Sequence, residues 1–340
     1  MRLGYVKIMV IMLLIEGKWV NALDITFISS IPTPNSILLK KENYKPLFVG
    51  ARLRYATCTG ATWFHGNYLA VLNLYGQEII TYVFDEQKKE FKYVQHINNR
   101  QGARLGYPEQ ASVSHNGRLL AVANDKNLGV QVYTIDPETH LINPTPIFSL
   151  PARGLVHNVR FTPDDTYIAY ASFDRNESVC IYKIVPGAPM RCTYKRANDM
   201  NVKAKGIIFT TNGCYAVLAY SYSASSLKPN SLHSVIKVHR FNASLGVLEG
   251  EVSRVEGSFC VEDLALLHND TNIVVTDQGN DMLLVYPFNA HTGQIGQEYT
   301  VLQNPDAHLS FPHGVAISED GNYMVVTNYG DDTFNLYQVR

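Results

Sequence analysis

Phe311-Pro312-His313-Gly314-Val315-Ala316-Ile317-Ser318-Glu319-Asp320-Gly321-Asn322-Tyr323-Met324-Val325-Val326-Thr327-Asn328, running on to Phe334-Asn335-Leu336-Tyr337-Gln338-Val339, decides how this chain is read. Val315 and Ile317, then Met324 and Val326, alternate with smaller or polar neighbours. Asp320-Gly321 supplies a hairpin turn between the two runs, and Tyr329-Gly330-Asp331-Asp332 supplies a second one. The segment therefore predicts three short antiparallel strands.

Five more copies of this meander lie upstream, turning at Gly66-Asn67, Asn116-Gly117, Asp164-Asp165, Asn212-Gly213 and Asn269-Asp270. The turn-to-turn spacings are 51 (66 to 117), 48 (117 to 165), 48 (165 to 213), 57 (213 to 270) and 51 (270 to 321). A period near fifty residues suits a β-propeller blade of four strands. Fourth strands are expected at Phe91–Val94, Pro146–Leu150, Arg191–Tyr194, Glu251–Val255 and Gln297–Leu302. The sixth copy stops at Arg340 without one, and Asp24–Ile31 has the alternation to fill that place. The expectation is thus an all-β chain: one closed propeller of six blades, sealed by its N-terminal strand so that no edge is left open. A seventh, degenerate blade between Pro32 and Arg54 stays open as an alternative.

Composition narrows the function. A net charge of −1, with 17% charged residues, lacks the basic excess of a nucleic-acid surface. Residues 1–22 read as a signal peptide, with Arg2 and Lys7 before the apolar run Ile8–Ile15 and small residues at Val20-Asn21-Ala22. The propeller then occupies 23–340, and the protein is expected to be secreted or periplasmic. No other stretch approaches a membrane span. The five cysteines form no metal-ligand spacing. Cys180 and Cys192 flank the Val185-Pro186-Gly187-Ala188 turn symmetrically, and read equally as a facing disulfide pair or as two ordinary strand cysteines.

In a blade, the start of the first strand and the end of the second share one face, around the mouth of the axial channel. Eight residues before each first turn stand Thr59, Glu109, His157, Lys205, Glu262 and His313, with blade I's register less regular by one residue. Two positions further in stand Ala61, Ala111, Val159, Ile207, Leu264 and Val315, all apolar. Seven residues after the turn come Asn73, Asn124, Ser172, Tyr220, Asp277 and Asn328, where Asn and Asp also serve simply to close the following turn. The first ring reads either as a water-lined funnel or as a convergent polar pocket for a small molecule. Its chemistry suits acid–base work by His157, His313, Glu109 and Glu262, with Lys205, Asn124, Asp277 and Asn328 as ligand contacts. Two imidazoles and two carboxylates would hold a divalent ion only if their side chains converged, so no metal or cofactor is assigned. The long connection Ser221–Ser234 on the same face reads equally as a lid or as an untidy loop.

Pro312-His313-Gly314-Val315-Ala316-Ile317-Ser318-Glu319-Asp320-Gly321, followed by Val325-Val326-Thr327-Asn328, resembles the repeat of YVTN-type propellers and of the propeller lactonase family. That family includes bacterial 6-phosphogluconolactonase and fungal muconate lactonising enzymes. His157-Asn158-Val159-Arg160-Phe161-Thr162-Pro163-Asp164 is similar to the family's third-blade motif, which carries over His157 as a site histidine. The chain departs from the pattern at Ser172-Phe173-Asp174, where Asp-Leu-Gly is usual, and at Lys205-Gly206, where an Arg-His pair is usual. The family is also usually seven-bladed. The resemblance implies hydrolysis of a lactone or small cyclic ester. The competing expectations are a non-catalytic exported scaffold that holds a ligand or partner protein on the mouth face, and a metal-assisted hydrolase.

Overall fold

The computed structural model describes residues 23–33, 47–49, 52–54, 58–126, 128–185, 187, 190–198, 202–222, 233–257, 259–267, 269–297, 299–303 and 305–340. The leader 1–22, the core of the long connection (223–232) and most of the segment proposed for a seventh blade lie outside them.

Six antiparallel sheets of the expected form are present. Blade I comprises Cys58–Phe64, Tyr68–Asn73, Glu78–Asp85 and Glu90–Asn98, and blade II Pro108–Val113, Leu119–Asn124, Gly129–Thr134 and Phe148–Leu150. Blade III runs Val156–Phe161, Tyr167–Ser172, Val179–Lys183 and Arg191–Arg196. Blade IV runs Val202–Phe209, Tyr215–Tyr222, Ser234–Asn242 and Val247–Gly257. In blade V, Val261–Leu267, Asn272–Asp277 and Met282–Asn289 are joined by two short outer pieces, Gln294–Ile295 and Thr300–Gln303. Blade VI takes Pro312–Ile317, Tyr323–Asn328 and Thr333–Val339 from the C-terminus and Ile25–Pro32 from the N-terminus. Ile25 stands opposite Val339 and Pro32 opposite Thr333, so the expected sealing strand is in place.

Each first turn holds a left-handed residue at the same point in every blade, preceded by a second, His65 or Asn269, in blades I and V. Gly66, Gly117, Asp165, Gly213, Asp270 and Gly321 have φ of 76°, 72°, 55°, 66°, 64° and 74°. The third-strand aromatics Tyr82, Tyr133, Tyr182, Tyr286 and Tyr337, with His239 in blade IV, are buried, as packing residues should be.

Six apolar cores lie between neighbouring blades, one at each junction from I–II round to VI–I. The last joins Trp63, Leu69 and Val71 of blade I to Val325, Phe334 and Leu336 of blade VI. At the axis a Cβ added to Gly314 would meet the Thr59 carbonyl oxygen at 2.6 Å, and the Thr327 hydroxyl donates to that same oxygen. Blades VI and I therefore pack directly on each other, and the ring closes at six. The described hairpin Leu47–Val49/Arg52–Arg54 is a separate two-stranded sheet.

The blade III register settles the cysteine question. Next to the turn Lys183 pairs Arg191 and Tyr182 pairs Cys192, and past a bulge between Ile181 and Tyr182 Cys180 pairs Lys195, so the two do not face each other and both thiols are free. Of the two readings, the facing pair required a hairpin centred one residue earlier than the pairing that forms.

Candidate functional site

In every blade the innermost strand is broken by a register shift at the same place: Cys58/Ala61, Pro108/Ala111, Val156/Asn158, Ala204/Gly206, Val261/Leu264 and Pro312/Val315. Each shift contains the ring residue singled out above. A bulge inserts an unpaired residue and re-aims its side chain, so these six positions leave the sheet plane and turn to the axis.

Five of the six meet there. Glu262 Oε2 lies 2.5 Å from Lys205 Nζ, 3.0 Å from His157 Nε2 and 3.7 Å from His313 Nε2. His313 Nε2 also lies 3.2 Å from Glu109 Oε2. The two imidazoles are stacked, ring centroids 5.3 Å apart. Thr59, the sixth, instead donates its hydroxyl to the Pro108 carbonyl at 2.7 Å and ties blade I to blade II.

The cluster is not the water-lined funnel that one reading of the ring expected. Glu109, His157, Glu262 and His313 are 6%, 4%, 4% and 6% exposed. Phe173 stacks on His157 at 5.2 Å and Tyr329 on His313 at 5.3 Å, while Asp125 sits beside the Glu109 carboxylate. These three covering groups share one position, the residue directly after the second strand. Their main chains are fixed alike: Asp125, Phe173 and Tyr329 donate N–H to the carbonyls of Tyr107, Leu155 and Phe311, each two residues before a ring residue. The repeat contained this signal one place beyond the ring that was counted.

The ring that was counted serves the backbone. Asn124 accepts from Gly106 N at 2.8 Å, Asp277 from Cys260 N at 3.0 Å and Asn328 from Ser310 N at 3.1 Å, as Asn73 does from Gly76 N at 2.9 Å. Asn124, Asp277 and Asn328 therefore close loops, and the structure does not offer their side chains to the cluster.

A model of the family described as "Lactonase, 7-bladed beta-propeller" matches residues 62–158, a span that includes Glu109 and His157. The chain is a β-propeller, and over that span it is similar to this lactonase family. Among solved structures it is similar to the periplasmic gluconolactonase PpgL of Pseudomonas aeruginosa, with TM-score 0.59 and 17% identity over 82% of this chain and 80% of that one. It is also similar to a candidate 6-phosphogluconolactonase from Bacteroides uniformis (TM-score 0.58, 13% identity, 84% of this chain and 83% of that one). The β-propeller domain of Cps50 (Swd1) from Myceliophteria thermophila matches as well, at TM-score 0.55 and 10% identity, covering 86% of this chain and all of that one. Likeness at these identities establishes the fold. A search of curated proteins returns no match. The family description names seven blades, and this ring closes with six.

Charges in the cluster set one another's protonation. Burial alone would raise the Glu262 carboxyl, but Lys205, His157 and His313 outweigh it and hold its pKa far below the usual range. Glu109 is likewise lowered, by His313 and His157 against burial. His313 is raised: burial opposes its charge, and the Glu109 and Glu262 carboxylates overcome that. Lys205 is raised against burial chiefly by Glu262. Asp125 is pushed up to about 9, first by burial and then by the Glu109 charge beside it, so it carries the proton of that carboxyl pair. His157 Nδ1 faces the Lys205 carbonyl at 2.9 Å; a carbonyl only accepts, so Nδ1 bears hydrogen and Nε2 points into the cluster.

Beneath this layer the channel is plugged. The residues following the ring are Gly60, Gln110, Asn158, Gly206, Asp263 and Gly314. Three glycines leave the space that the other three fill. Buried Asp263 accepts from Asn158 Nδ2 at 2.9 Å, Arg160 at 3.2 Å, the Val315 N–H at 3.0 Å and Gln110 Nε2. Strict alternation would turn these residues away from the axis, and the bulge turns them inward. Past the plug, at the turn end, the axis opens into a cavity of about 420 Å³ lined by Trp63, Arg160, Asp270 and Glu319 among others. The ionisable cluster lies at the opposite end.

Proposed function

We propose that this protein hydrolyses a small lactone at the His157–His313 cluster. The observation that carries the reading is the convergence of two imidazoles, two carboxylates and an ammonium from five blades on one axial point of a lactonase-like propeller. His157, its Nδ1–H held by a carbonyl, takes a proton from water through Nε2 as the water oxygen bonds to the lactone carbonyl carbon. Lys205 faces the oxyanion that forms, and Glu262 keeps the ammonium and imidazole in register. The ring C–O bond then breaks, and the departing alkoxide takes a proton from His313, whose charged form the two carboxylates favour. The product is an open-chain hydroxy acid.

Gluconolactone, the substrate class in the name of the Pseudomonas protein, is the first probe. His157→Ala and His313→Ala are expected to lower kcat by about 10²–10⁴-fold with unchanged circular dichroism. Unaltered turnover in both variants refutes the assignment to this cluster. Export belongs to the same reading, and N-terminal sequencing of the mature protein from the periplasm or medium tests it.

A second reading rests on the mutual pairing of the five side chains, which leaves Lys205 only 12% exposed. Such a closed, neutralised plug suits a scaffold that displays its mouth face to a ligand or partner protein without chemistry. Full activity loss across a lactone panel, with gluconolactone protecting against thermal unfolding, favours that alternative.

A further inference from the structure

Three donors in the cluster converge more tightly than hydrolysis by water and side chains requires. A carboxylate oxygen of Glu109 and one ring nitrogen each of His157 and His313 lie within 4.8 Å of one another, and all three residues are buried. They come from the innermost strands of blades II, III and VI. The ring, rather than any local spacing of histidines, brings them together, which is why no metal motif is visible in the sequence.

The surroundings of one imidazole are arranged as a ligand needs, while Nδ1 of the other, His313, is buried with no partner. A ligating imidazole holds its remote nitrogen to a fixed acceptor, and His157 does so through Nδ1 to the Lys205 carbonyl at 2.9 Å. Its Nε2 is then the coordinating atom, turned inward 3.0 Å from Glu262 Oε2. Glu109 Oε2 is buried, with the His313 imidazole as its facing partner. That oxygen faces His313 Nε2 at 3.2 Å, about the edge of a tetrahedron built on metal bonds of ~2.0–2.1 Å. Glu262 Oε2, near both imidazoles, contributes the second negative charge that a dication calls for.

We infer that Glu109, His157 and His313 form a binding site for a divalent first-row transition ion of the zinc type. Two nitrogens and one carboxylate oxygen suit such an ion, where calcium and magnesium take oxygen sets. Three protein ligands leave a fourth position for water or a substrate oxygen. Lys205 Nζ, 3.4 Å from His157 Nε2, is the cation that would give way, withdrawing to Glu262. The site is independent of lactone turnover, since the chain binds or fails to bind the ion with no substrate present.

The test uses the purified full chain, stripped with chelator, incubated with Co²⁺ or Zn²⁺ and desalted. Expected are one ion per chain by plasma mass spectrometry and visible Co²⁺ bands of tetrahedral intensity that Zn²⁺ abolishes. Glu109→Gln and His313→Gln should weaken binding by about tenfold or more at unchanged circular dichroism. His140→Ala, which removes one ring of the His65–His140 stack elsewhere, should leave it intact. No retained ion, or loss in His140→Ala with retention in Glu109→Gln, overturns the site. An anomalous peak away from these three residues in zinc-soaked crystals does the same. Gluconolactone turnover is measured in parallel on stripped and loaded protein. Retained ion without turnover in either form removes hydrolysis and keeps the metal site; turnover with no retained ion does the reverse.

Discussion

Lys205 and Glu262, from the neighbouring blades IV and V, meet at 2.5 Å and together anchor the buried cluster. Neither charge is tolerable there alone. Both imidazoles lean on the same Glu262 oxygen, so the pair also sets the orientation of His157 and His313.

Lys205→Met is accordingly expected to lower the unfolding free energy by about 3–5 kcal/mol, because it leaves an uncompensated carboxylate under Phe173. The double variant Lys205→Met/Glu262→Gln should recover roughly half of that or more. Urea denaturation in a double-mutant cycle measures it, and strictly additive losses would show that the two side chains are uncoupled.

Asp263 ties three blades to blade V below the cluster, and its partner Arg160 is partly buried with it. Asp263→Ala should cost about 3–5 kcal/mol, and Asp263→Asn clearly less because its amide oxygen keeps one of the two acceptor positions, Oδ1 facing Asn158 or Oδ2 facing the Val315 N–H. Chemical denaturation of both variants decides this; equal losses would mean that charge, not hydrogen bonding, holds the plug.

Stability should fall from mildly acidic to alkaline pH. The folded pKa of Asp125, about 9, exceeds its ordinary value near ~3.9, so the folded chain holds the extra proton in between. Its stabilising contribution is full below that lower value and is lost as pH rises toward 9. Raised His313 acts in the same sense above ~6.5. Glu109 and Glu262, both lowered, contribute above ~4.3 and lose their contribution as pH falls toward their folded values. Urea midpoints between pH 5 and 9 should decline, by up to ~1.4 kcal/mol per pH unit for one proton. Asp125→Asn should flatten the decline, and an unchanged slope would place its origin elsewhere.

Gly314→Ala should destabilise the seam between blades VI and I by about 1–3 kcal/mol or more. The new Cβ would meet the Thr59 carbonyl oxygen at 2.6 Å and Gly60 Cα at 2.9 Å, and backbone atoms cannot swing aside. Thermal unfolding is the measurement. Gly250→Ala, where nothing lies within 4 Å of the added carbon, is the control.

Most of the fold was legible because it repeats. Six turn signals at nearly constant spacing fixed the blades, and the alternation in Ile25–Pro32 fixed the sealing strand. Glu109, His157, Lys205, Glu262 and His313 were legible as a ring for the same reason. What escaped notice depends on bulges, which have no residue signature of their own here. Asp263, Gln110 and Asn158 face the axis only because the inner strand slips at that point, and Cys192 misses Cys180 because the hairpin is centred one residue later than a facing pair requires. Asp125, Phe173 and Tyr329 were missed for a simpler reason: the count stopped at the last strand residue, and the covering groups begin just after it.

The sealing of blade VI also bears on how the protein is made. Asp24 and Arg340 exchange both backbone hydrogen bonds, at 3.0 and 2.9 Å, so the earliest described strand finds its partner only when Thr333–Val339 has left the ribosome. Until then Ile25–Pro32 must travel as an unclaimed β-forming segment, competent to join the wrong neighbour. A polypeptide interrupted anywhere upstream of Thr333 would therefore release a ring with a gap, and that gap is the surface on which two incomplete copies would meet.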